Sequence, residues 1–196
     1  MRSALLGSVA LHCVTHAACP VVVVHAAAID VARLGRVVVG VDGSDGSRAA
    51  LAVAIDEASR MGADVEVVAT YVPADYWTDL TTVVIPSLDE IRSDLDQHTR
   101  SLVDEVLADR PEQASALPAI RTEVHMGSAA DVLIDRARTA GLLVVGSRGR
   151  GAFRGLLLGS VALHCAMHAP CPVMVVHPQR SRSAGAARSE PAMATR

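Results

Sequence analysis

Residues 36 to 62 read RVVVGVDGSDGSRAALAVAIDEASRMG, and this stretch decides the fold class. Its first six residues, Arg36 to Val41, are a continuous and mostly β-branched run, which is typical of a strand buried on both faces of a parallel sheet. Turn residues follow, and alanine and leucine then recur at helical spacing until Gly62, a glycine suited to end a helix. A buried strand that leads through a turn into a helix predicts an α/β fold.

The same alternation of strand and helix continues along the chain. Further strands are predicted at 65–71, 120–124, 142–145 and 173–176, and further helices at 88–107, 128–138 and 157–168. Five strands that alternate with helices predict a parallel, Rossmann-like sheet with helices on both faces.

The chain also contains an internal repeat. The segment LLGSVALHCVTHAACPVVVVH at 5–25 returns at 157–177 as LLGSVALHCAMHAPCPVMVVH, a shift about as long as one small domain. We therefore interpret 1–30 as the last helix and strand of a preceding copy and 31–178 as a complete domain. The tail at 179–196 is rich in Ser, Ala, Arg and Pro and is predicted to be disordered.

The strand predicted at 21–24 has no sheet of its own. Left alone it would be an exposed apolar edge, which natural proteins avoid. We predict that it pairs antiparallel with 173–176 and imitates the last strand of a dimer partner, with its helix packed alongside.

Composition excludes several classes of function. The net charge is −3, so there is no basic bias toward nucleic acid, and all 18 basic residues are arginine. A Walker A phosphate-binding loop requires a lysine, and this sequence has none, so a nucleotide site of that kind is excluded. With one Trp, one Phe and two Tyr, the chain has too few aromatic side chains to stack the bases of single-stranded nucleic acid.

Compartment is predicted from the apolar stretches and the cysteines. The sequence contains no run of 18 apolar residues, so no membrane span is predicted. The start of the chain also lacks the charged region and cleavage pattern of a signal peptide. The four cysteines form two equivalent pairs within the repeat, Cys13 with Cys19 and Cys165 with Cys171, which does not resemble a disulfide framework. These features predict a cytoplasmic protein with reduced thiols.

A glycine-rich loop follows the fourth strand of the complete copy. It reads Gly-Ser-Arg-Gly-Arg-Gly at 146–151, and Gly159-Ser160 lies shortly after it at the next helix. In an open parallel sheet, ligands bind beyond the carboxyl ends of the strands where the strand order reverses. Glycines allow backbone N–H groups to approach phosphate oxygens, and a helix N-terminus attracts anions. Arg148, Arg150 and Arg154 add positive charge, so the loop predicts a phosphate cradle.

The spacing of this loop resembles the nucleotide-binding signature of the universal stress protein family. Gly146, two residues, Gly149, nine residues and then Gly159-Ser160 carry the resemblance, with VVVGVDGS at 37–44 and APCPVMVVHP at 169–178 in support. It covers about 31–178 and is closest in character to the ATP-binding, UspA-like branch and its actinobacterial tandem members. It implies a five-stranded sheet of order 3-2-1-4-5, of the adenine nucleotide alpha hydrolase-like kind. ATP binding, dimerisation through the last strand and a role in stress or dormancy are also implied.

The resemblance also implies roles for individual residues. Gly40 and Asp42 would line the adenosine pocket, with the Asp42 carboxylate accepting from ribose hydroxyls, and Tyr71 or Val72 would flank adenine. The loop and the helix start would hold the phosphates, and Mg²⁺ would come with them, ligated mainly by phosphate and water. The candidate binding residues are Gly40, Asp42, Tyr71, Val72, Val145, Gly146, Ser147, Arg148, Gly149, Arg150, Gly151, Gly159 and Ser160.

Other interpretations of these residues stay open. Asp42 also suits a plain turn or helix cap, and the arginines suit an ordinary solvated loop. His164 and His168 are four apart on one predicted helix beside two cysteines, which raises a metal site as an alternative to a helix end that favours histidine.

Three functions follow from the sequence. The first is an ATP-binding stress regulator with at most slow hydrolysis, because the sequence places no matched acid and base together. The second is a nucleotide-free module that uses the fold for dimerisation or assembly. The third is an enzyme that handles adenylates, although no nucleophile elbow or His-x-Glu metal motif is present.

Overall fold

A computed structural model describes residues 6–25, 34–73, 87–110, 117–151 and 157–178. The strands are β1 (Val21–Val23), β2 (Arg36–Gly40), β3 (Asp64–Tyr71), β4 (Ile120–Met126), β5 (Leu142–Gly146) and β6 (Val173–Val176). The helices are α1 (Ser8–His16), α2 (Asp45–Met61), α3 (Leu88–Ala108), α4 (Ala129–Arg136) and α5 (Ser160–His168), and a 3₁₀ turn (Ala137–Thr139) follows α4. The predicted tail at 179–196 and most of the stretch 73–86 lie outside the described residues.

The described strands form one sheet of order β1-β6-β5-β2-β3-β4. From β6 to β4 all neighbours are parallel. When the parallel strands are numbered from β2, this is order 3-2-1-4-5, so the predicted α/β fold and strand order are confirmed. The strand order reverses between β2 and β5, and a crevice for ligands is expected at the carboxyl ends of those two strands.

The three central valines of β2 show why the sheet is covered on both faces. Val37 and Val39 face the core formed with α2 and α3, and Val38 faces the core formed with α4 and α5; all three are fully buried. Local signals fix the helix ends. Ser44 accepts from the N–H of Ser47 at the start of α2, and Gly62 ends it in the left-handed region with φ 63°.

The N-terminal segment adds β1 to the sheet, and its predicted antiparallel pairing with β6 is present. Val22 lies opposite Met174, with Val21 opposite Val175 and Val23 opposite Val173. Under the repeat, Val22 is equivalent to Met174 and Val21 to Val173, so the pairing is symmetric about the Val22·Met174 pair. The two copies of the repeated strand are therefore related by a local two-fold axis. The ladder covers 21–23, one residue shorter than predicted.

One helix start was predicted wrongly. The sequence suggested a helix from Leu157, but α5 begins at Ser160, and Gly159 before it has extended backbone with φ −78° and ψ 157°. The N–H of Gly159 donates to the carbonyl of Ser147 at 2.7 Å, which ties this residue to the glycine loop and holds it out of the helix. The start of α5 therefore lies directly against that loop.

A buried ion network lies at the opposite end of the sheet. Glu66 on β3 is 1% exposed, and its carboxylate lies 3.2 Å from Arg36 Nη1, 3.4 Å from Arg136 Nε and 3.9 Å from Arg121 Nη2. An unpaired buried carboxylate would be costly, and these cations offset that cost.

None of the helices in the described ranges is long and apolar enough to cross a bilayer.

Candidate functional site

A cavity of about 450 Å³ opens at the carboxyl ends of β2 and β5, where the strand order reverses. Ten of its lining residues were predicted from the sequence: Gly40, Asp42, Val145, Gly146, Arg148, Gly149, Arg150, Gly151, Gly159 and Ser160. Seven others also line it: Val41, Ser47, Thr70, Ala129, Leu133, Val161 and Ala162. The structure thus brings the end of β2, the glycine loop and the start of α5 to one cavity.

Asp42 connects β2 to the glycine loop. Its Oδ1 accepts from the N–H of Ser44 at 3.0 Å and from the Ser44 hydroxyl at 2.6 Å, and its Oδ2 accepts from the N–H of Arg150 at 2.7 Å. The Asp42 carboxylate therefore holds both the turn into α2 and the loop across the cavity. Partial burial would raise the pKa of this carboxyl, but the hydrogen bonds from Ser44 and Arg150 outweigh it, and the pKa lies below its ordinary value of 3.8.

This lowered pKa predicts an acid transition in the loop. Because the pKa is lower in the folded than in the unfolded state, the carboxylate stabilises the fold at neutral pH, and this contribution is lost as the pH falls through and below 3.8. In an NMR titration the amide proton of Arg150 should move upfield with a midpoint below 3.8. Asp42→Asn should abolish this step. A midpoint above 3.8 in the wild type would contradict the hydrogen bond to Oδ2.

Two glycines allow the loop to approach the N-terminus of α2. A Cβ on Gly146 would lie 2.7 Å from the carbonyl carbon and oxygen of Gly46 and 3.1 Å from the nitrogen of Ser47. A Cβ on Gly149 would collide with Oδ2 of Asp42. Gly146 is therefore required by backbone packing and Gly149 by the position of the Asp42 carboxylate, whatever the cavity binds.

Gly146→Ala is expected to lower the free energy of unfolding by about 2 kcal/mol, because backbone on both sides must move apart. Gly151 is the matched control, since a Cβ there meets nothing within 4 Å. Gly151→Ala should leave stability unchanged within about 0.5 kcal/mol. Urea unfolding of the two variants measures the difference, and equal stabilities would mean that the loop does not pack against α2 in this way.

The N-terminus of α5 faces the cavity without a side-chain cap. Gly159 is the N-cap residue and makes no capping hydrogen bond from a side chain, so the first N–H groups of the helix have no such acceptor in the described structure. The adjoining loop is fixed, because the Ser147 N–H donates to the Val176 carbonyl at 2.7 Å. The Ser147 side chain is 1% exposed and its hydroxyl has no hydrogen-bond partner within the described ranges. Backbone donors and a helix N-terminus of this kind suit an anion.

Arg148 and Arg150 stand exposed at the rim of the cavity. A Cβ on Gly43, which has φ 79°, would lie 2.7 Å from Nη2 of Arg150, so that guanidinium rests against the turn after Asp42. Arg154, the third predicted cation, lies outside the described residues. In the described part of the rim, two arginines thus lie near a single carboxylate, Asp42, which favours a negatively charged ligand.

Three predicted site residues do not line the cavity. Tyr71 is 8% exposed and packs in the core against α2 and α3, Val72 is 38% exposed beyond the strand, and Ser147 is buried beneath the loop. Thr70 lines the cavity instead. Side chains alternate along a strand, so Thr70 and Tyr71 face opposite sides of the sheet. The adenine-flanking role of Tyr71 or Val72 stays a prediction.

The residues that the sequence did not single out are mostly apolar. Leu133 of α4 lies over the end of β2, and a Cβ on Gly40 would come within 2.7 Å of its Cδ1. The sequence predicts the helix at 128–138 that carries Leu133. Its position over Gly40, however, depends on how α4 crosses the sheet.

The surroundings of the two histidines and of Cys165 on α5 bear on the metal alternative. Within the described parts of the chain, no group of three or more His, Cys, Asp or Glu side chains could hold a metal ion. His164 and His168 pack ring against ring, 4.6 Å between centroids. Burial, with a further contribution from Cys171, raises the pKa of the Cys165 thiol to about 12, which disfavours the thiolate that metals require.

The fold and the cavity define the class: a doubly wound α/β protein whose crevice, at the point of strand-order reversal, is walled by a glycine loop and an uncapped helix N-terminus. The chain belongs to the universal stress protein family, whose sequence profile matches residues 34–177.

Individual relatives agree with this assignment. A universal stress protein of Mycobacterium tuberculosis is 40% identical over 173 residues, covering 87% of this chain and 56% of that protein. The chain thus spans about half the length of the curated relatives it matches. Among solved structures, universal stress protein UspA from Lactobacillus plantarum is 25% identical with a TM-score of 0.53, covering 74% of this chain and 99% of its own. A universal stress protein crystallised in complex with cAMP is 26% identical with a TM-score of 0.50, covering 73% of this chain and 96% of its own.

Proposed function

We propose that this chain binds ATP in the cavity and acts as a nucleotide-dependent regulator in a cytoplasmic stress or dormancy response. The observation that carries the proposal is the juxtaposition of the uncapped start of α5 with a glycine loop whose backbone approach is fixed by packing. Both features recognise an anion through backbone donors. A relative of the same fold is known in complex with an adenine nucleotide, cAMP, which supports an adenine nucleotide as the ligand.

The residues around the cavity fit such a ligand by their chemistry. The loop 146–151 and Gly159-Ser160 would hold the phosphates, with Arg148 and Arg150 at the rim. Leu133, Val145 and Val161 provide apolar wall for the nucleoside. Mg²⁺ would come with the phosphates, which supply most of its ligands together with water.

Asp42 has room for one more hydrogen bond. A carboxylate offers about four acceptor positions, and Ser44 and Arg150 fill three of them. The Ser47 hydroxyl, which also helps to lower the pKa of this carboxyl, donates to the Ser44 carbonyl at 2.9 Å. A ribose hydroxyl could donate to the fourth without releasing the loop. The predicted ribose contact and the observed loop contact are therefore compatible.

Hydrolysis is proposed to be slow at most. Among the described residues that line the cavity, Asp42 is the single carboxylate, and its pKa is lowered by the hydrogen bonds from Ser44 and Arg150. A general base works best with a pKa near the operating pH. An adenylate-handling enzyme would need an acid–base pair that the described lining does not supply.

The test is mass spectrometry of the nucleotide released when freshly purified protein is denatured, followed by calorimetric titration of emptied protein with Mg-ATP, AMP and cAMP. Co-purified ATP, or saturable uptake of Mg-ATP, is the expected result. Binding of cAMP or AMP in preference to ATP would redirect the proposal to those nucleotides. Protein that is empty and takes up none of them would leave the assembly module as the better account.

The assembly alternative has one observation in its favour. β1 and β6 pair about a local two-fold axis, and β1 carries the sequence of the repeated last strand. We propose that 1–30 derives from the last helix and strand of a preceding copy and forms a pseudo-dimer with the complete domain at 31–178. Dimerisation would use the strand of the repeated segment, and nucleotide binding would use the start of its helix. One therefore does not exclude the other.

A further inference from the structure

We propose that His125 on β4 is a proton-dependent switch for the C-terminal end of helix α4. The neutral ring accepts a hydrogen bond from Arg136, the last residue of α4, whereas the protonated ring releases Arg136 and pairs with Glu123. Because α4 contributes Ala129 and Leu133 to the lining of the cavity, the switch acts on one of its walls. The inference does not depend on which ligand the cavity takes.

The contact between Arg136 and His125 requires a neutral ring. Nη2 of Arg136 lies 2.6 Å from Nε2 of His125, which is hydrogen-bond distance. A guanidinium has donors only, so Nε2 must accept through its lone pair, and the ring proton is then on Nδ1. A protonated imidazole carries N–H groups on both nitrogens, so two donors of like charge would face each other. Protonation of His125 therefore breaks this hydrogen bond.

Alternative partners for both released groups are already in place. Nε2 of His125 lies 3.7 Å from Oε2 of Glu123, and Nε of Arg136 lies 3.4 Å from Oε1 of Glu66. That oxygen is buried and accepts no hydrogen bond within the described ranges, so it is available to Arg136. Protonation can thus pair His125 with Glu123 and turn Arg136 fully toward Glu66. Both arrangements leave these charges paired, as a two-state element requires.

Solvent protons can reach the histidine. Its side chain is 28% exposed, and histidine is the side chain whose ordinary change of charge falls between about pH 5 and 8. Thr70, its partner in the β3–β4 register, is uncharged. Asp135 and Arg138 pair with each other on the exposed side of this region. The described charged groups on the side of His125 are those of the buried network and its edge: Glu123 and Arg121 on β4, Arg136 on α4, Glu66 on β3 and Arg36 on β2.

The switch lies close to the cavity along two elements. Arg136 follows Leu133 by three residues, so the two side chains are neighbours on α4. Leu133 is buried over the end of β2, where a Cβ on Gly40 would lie 2.7 Å from its Cδ1. On the sheet, Thr70 lines the cavity and lies directly opposite His125. A change of partner at Arg136 therefore acts on the turn of α4 that places Leu133.

The test is an NMR titration of the full chain from about pH 8 to about pH 5, the range in which histidines change charge. Ring nitrogen shifts of His125 should show the proton on Nδ1 at the alkaline end. The backbone amides of α4 and the methyl groups of Leu133 should then move with the same midpoint as the His125 ring. A ring proton on Nε2 at the alkaline end overturns the proposal, and so do α4 and Leu133 signals that stay fixed while the ring titrates.

Two substitutions of His125 hold the switch in its two states. His125→Gln keeps a carbonyl acceptor for Arg136 at every pH, so the α4 transition should disappear. His125→Lys offers donors only, so it should show most of the acid shifts of the wild type already at the alkaline end. The matched control is His98→Gln, an exposed histidine on α3 whose Nδ1 lies 2.6 Å from the Asp94 carbonyl oxygen; it should keep the wild-type transition. A transition that survives in His125→Gln, or that is lost in His98→Gln, contradicts the proposal.

Glu123→Gln tests the exchange of partners. Without the carboxylate, the protonated ring loses its acceptor of opposite charge, so a lower pH is needed to release Arg136. The midpoint of the α4 transition should fall by about 0.5 pH, the size expected for a partly exposed ion pair. An unchanged or higher midpoint would show that Glu123 does not receive the protonated ring and would overturn the exchange.

Discussion

Replacing Gly159 by glutamate is expected to weaken Mg-ATP binding by about a hundredfold, roughly 2.7 kcal/mol, because like charges forced together cost several kcal/mol. A Cβ on Gly159 would lie 3.4 Å from the Ser147 carbonyl oxygen, 3.6 Å from Arg148 Cα and 3.9 Å from the Gly149 nitrogen. These are ordinary contacts, and φ −78° suits any L-residue. The new carboxylate would therefore enter next to the glycine loop without disturbing the backbone.

The fold should not suffer from this substitution. An acidic side chain at the N-terminus of a helix interacts favourably with the helix dipole, so stability should stay within about 0.5 kcal/mol of the wild type or rise slightly. Gly159→Gln has nearly the same shape without the charge and is the matched control. Calorimetry should show a far smaller loss for glutamine than for glutamate. Equal losses in both variants would mean that bulk, rather than anion recognition, governs this position.

Ligand binding and folding share groups in this site. Asp42 holds the glycine loop to β2, Gly146 brings the loop against α2, and the Gly159 N–H ties α5 to the Ser147 carbonyl. The donors proposed to face phosphate are thus fixed before any ligand arrives. A site organised in advance loses little entropy on binding. The same packing means that most substitutions in the loop change stability and affinity together, and Gly159 is the position where the two separate.

The sequence predicted the parts of the fold that depend on local pattern. The β-branched run at β2, the helical spacing in α2 and Gly62 were each sufficient to place an element, and they agree with the structure within a few residues. The antiparallel β1–β6 pairing was also predicted, because an apolar strand without a sheet needs a partner. The fold, the family and the position of the glycine loop follow from such signals.

Features that depend on distant contacts were less accessible. The sequence did not show that Thr70, rather than Tyr71, lines the cavity. It predicts the strand without indicating which of its side chains face the crevice. The hydrogen bond from the Arg150 N–H to the Asp42 carboxylate joins residues 108 positions apart, so no local sequence pattern predicts it. Glu66 is a charged residue within an otherwise mostly apolar strand, and this polar signal is visible in the sequence. Its arginine partners come from three different elements, so their meeting required the sheet register.

Val14→Asp is expected to detach the N-terminal segment from the domain. Val14 is 1% exposed within the core shared with α5, so an unpaired carboxylate there should cost about 3–5 kcal/mol. α1 has only nine residues and no side-chain cap, and such a helix is not stable in water without packing. Hydrogen exchange of residues 8–23 should therefore approach the rate of an unfolded chain, and the backbone amides of β6 that face β1 should lose protection.

Val9→Asp is the matched control, since Val9 is on the same helix and 75% exposed. It should leave exchange and stability close to those of the wild type. Protection of β2 and β5 should persist in both variants, because the five parallel strands and their helices do not need β1 to form a sheet. Unchanged exchange at 8–23 in Val14→Asp would show that the segment is held by contacts other than the α1–α5 core. Loss of protection throughout β2 and β5 would instead show that the N-terminal segment and the five parallel strands unfold as one cooperative unit.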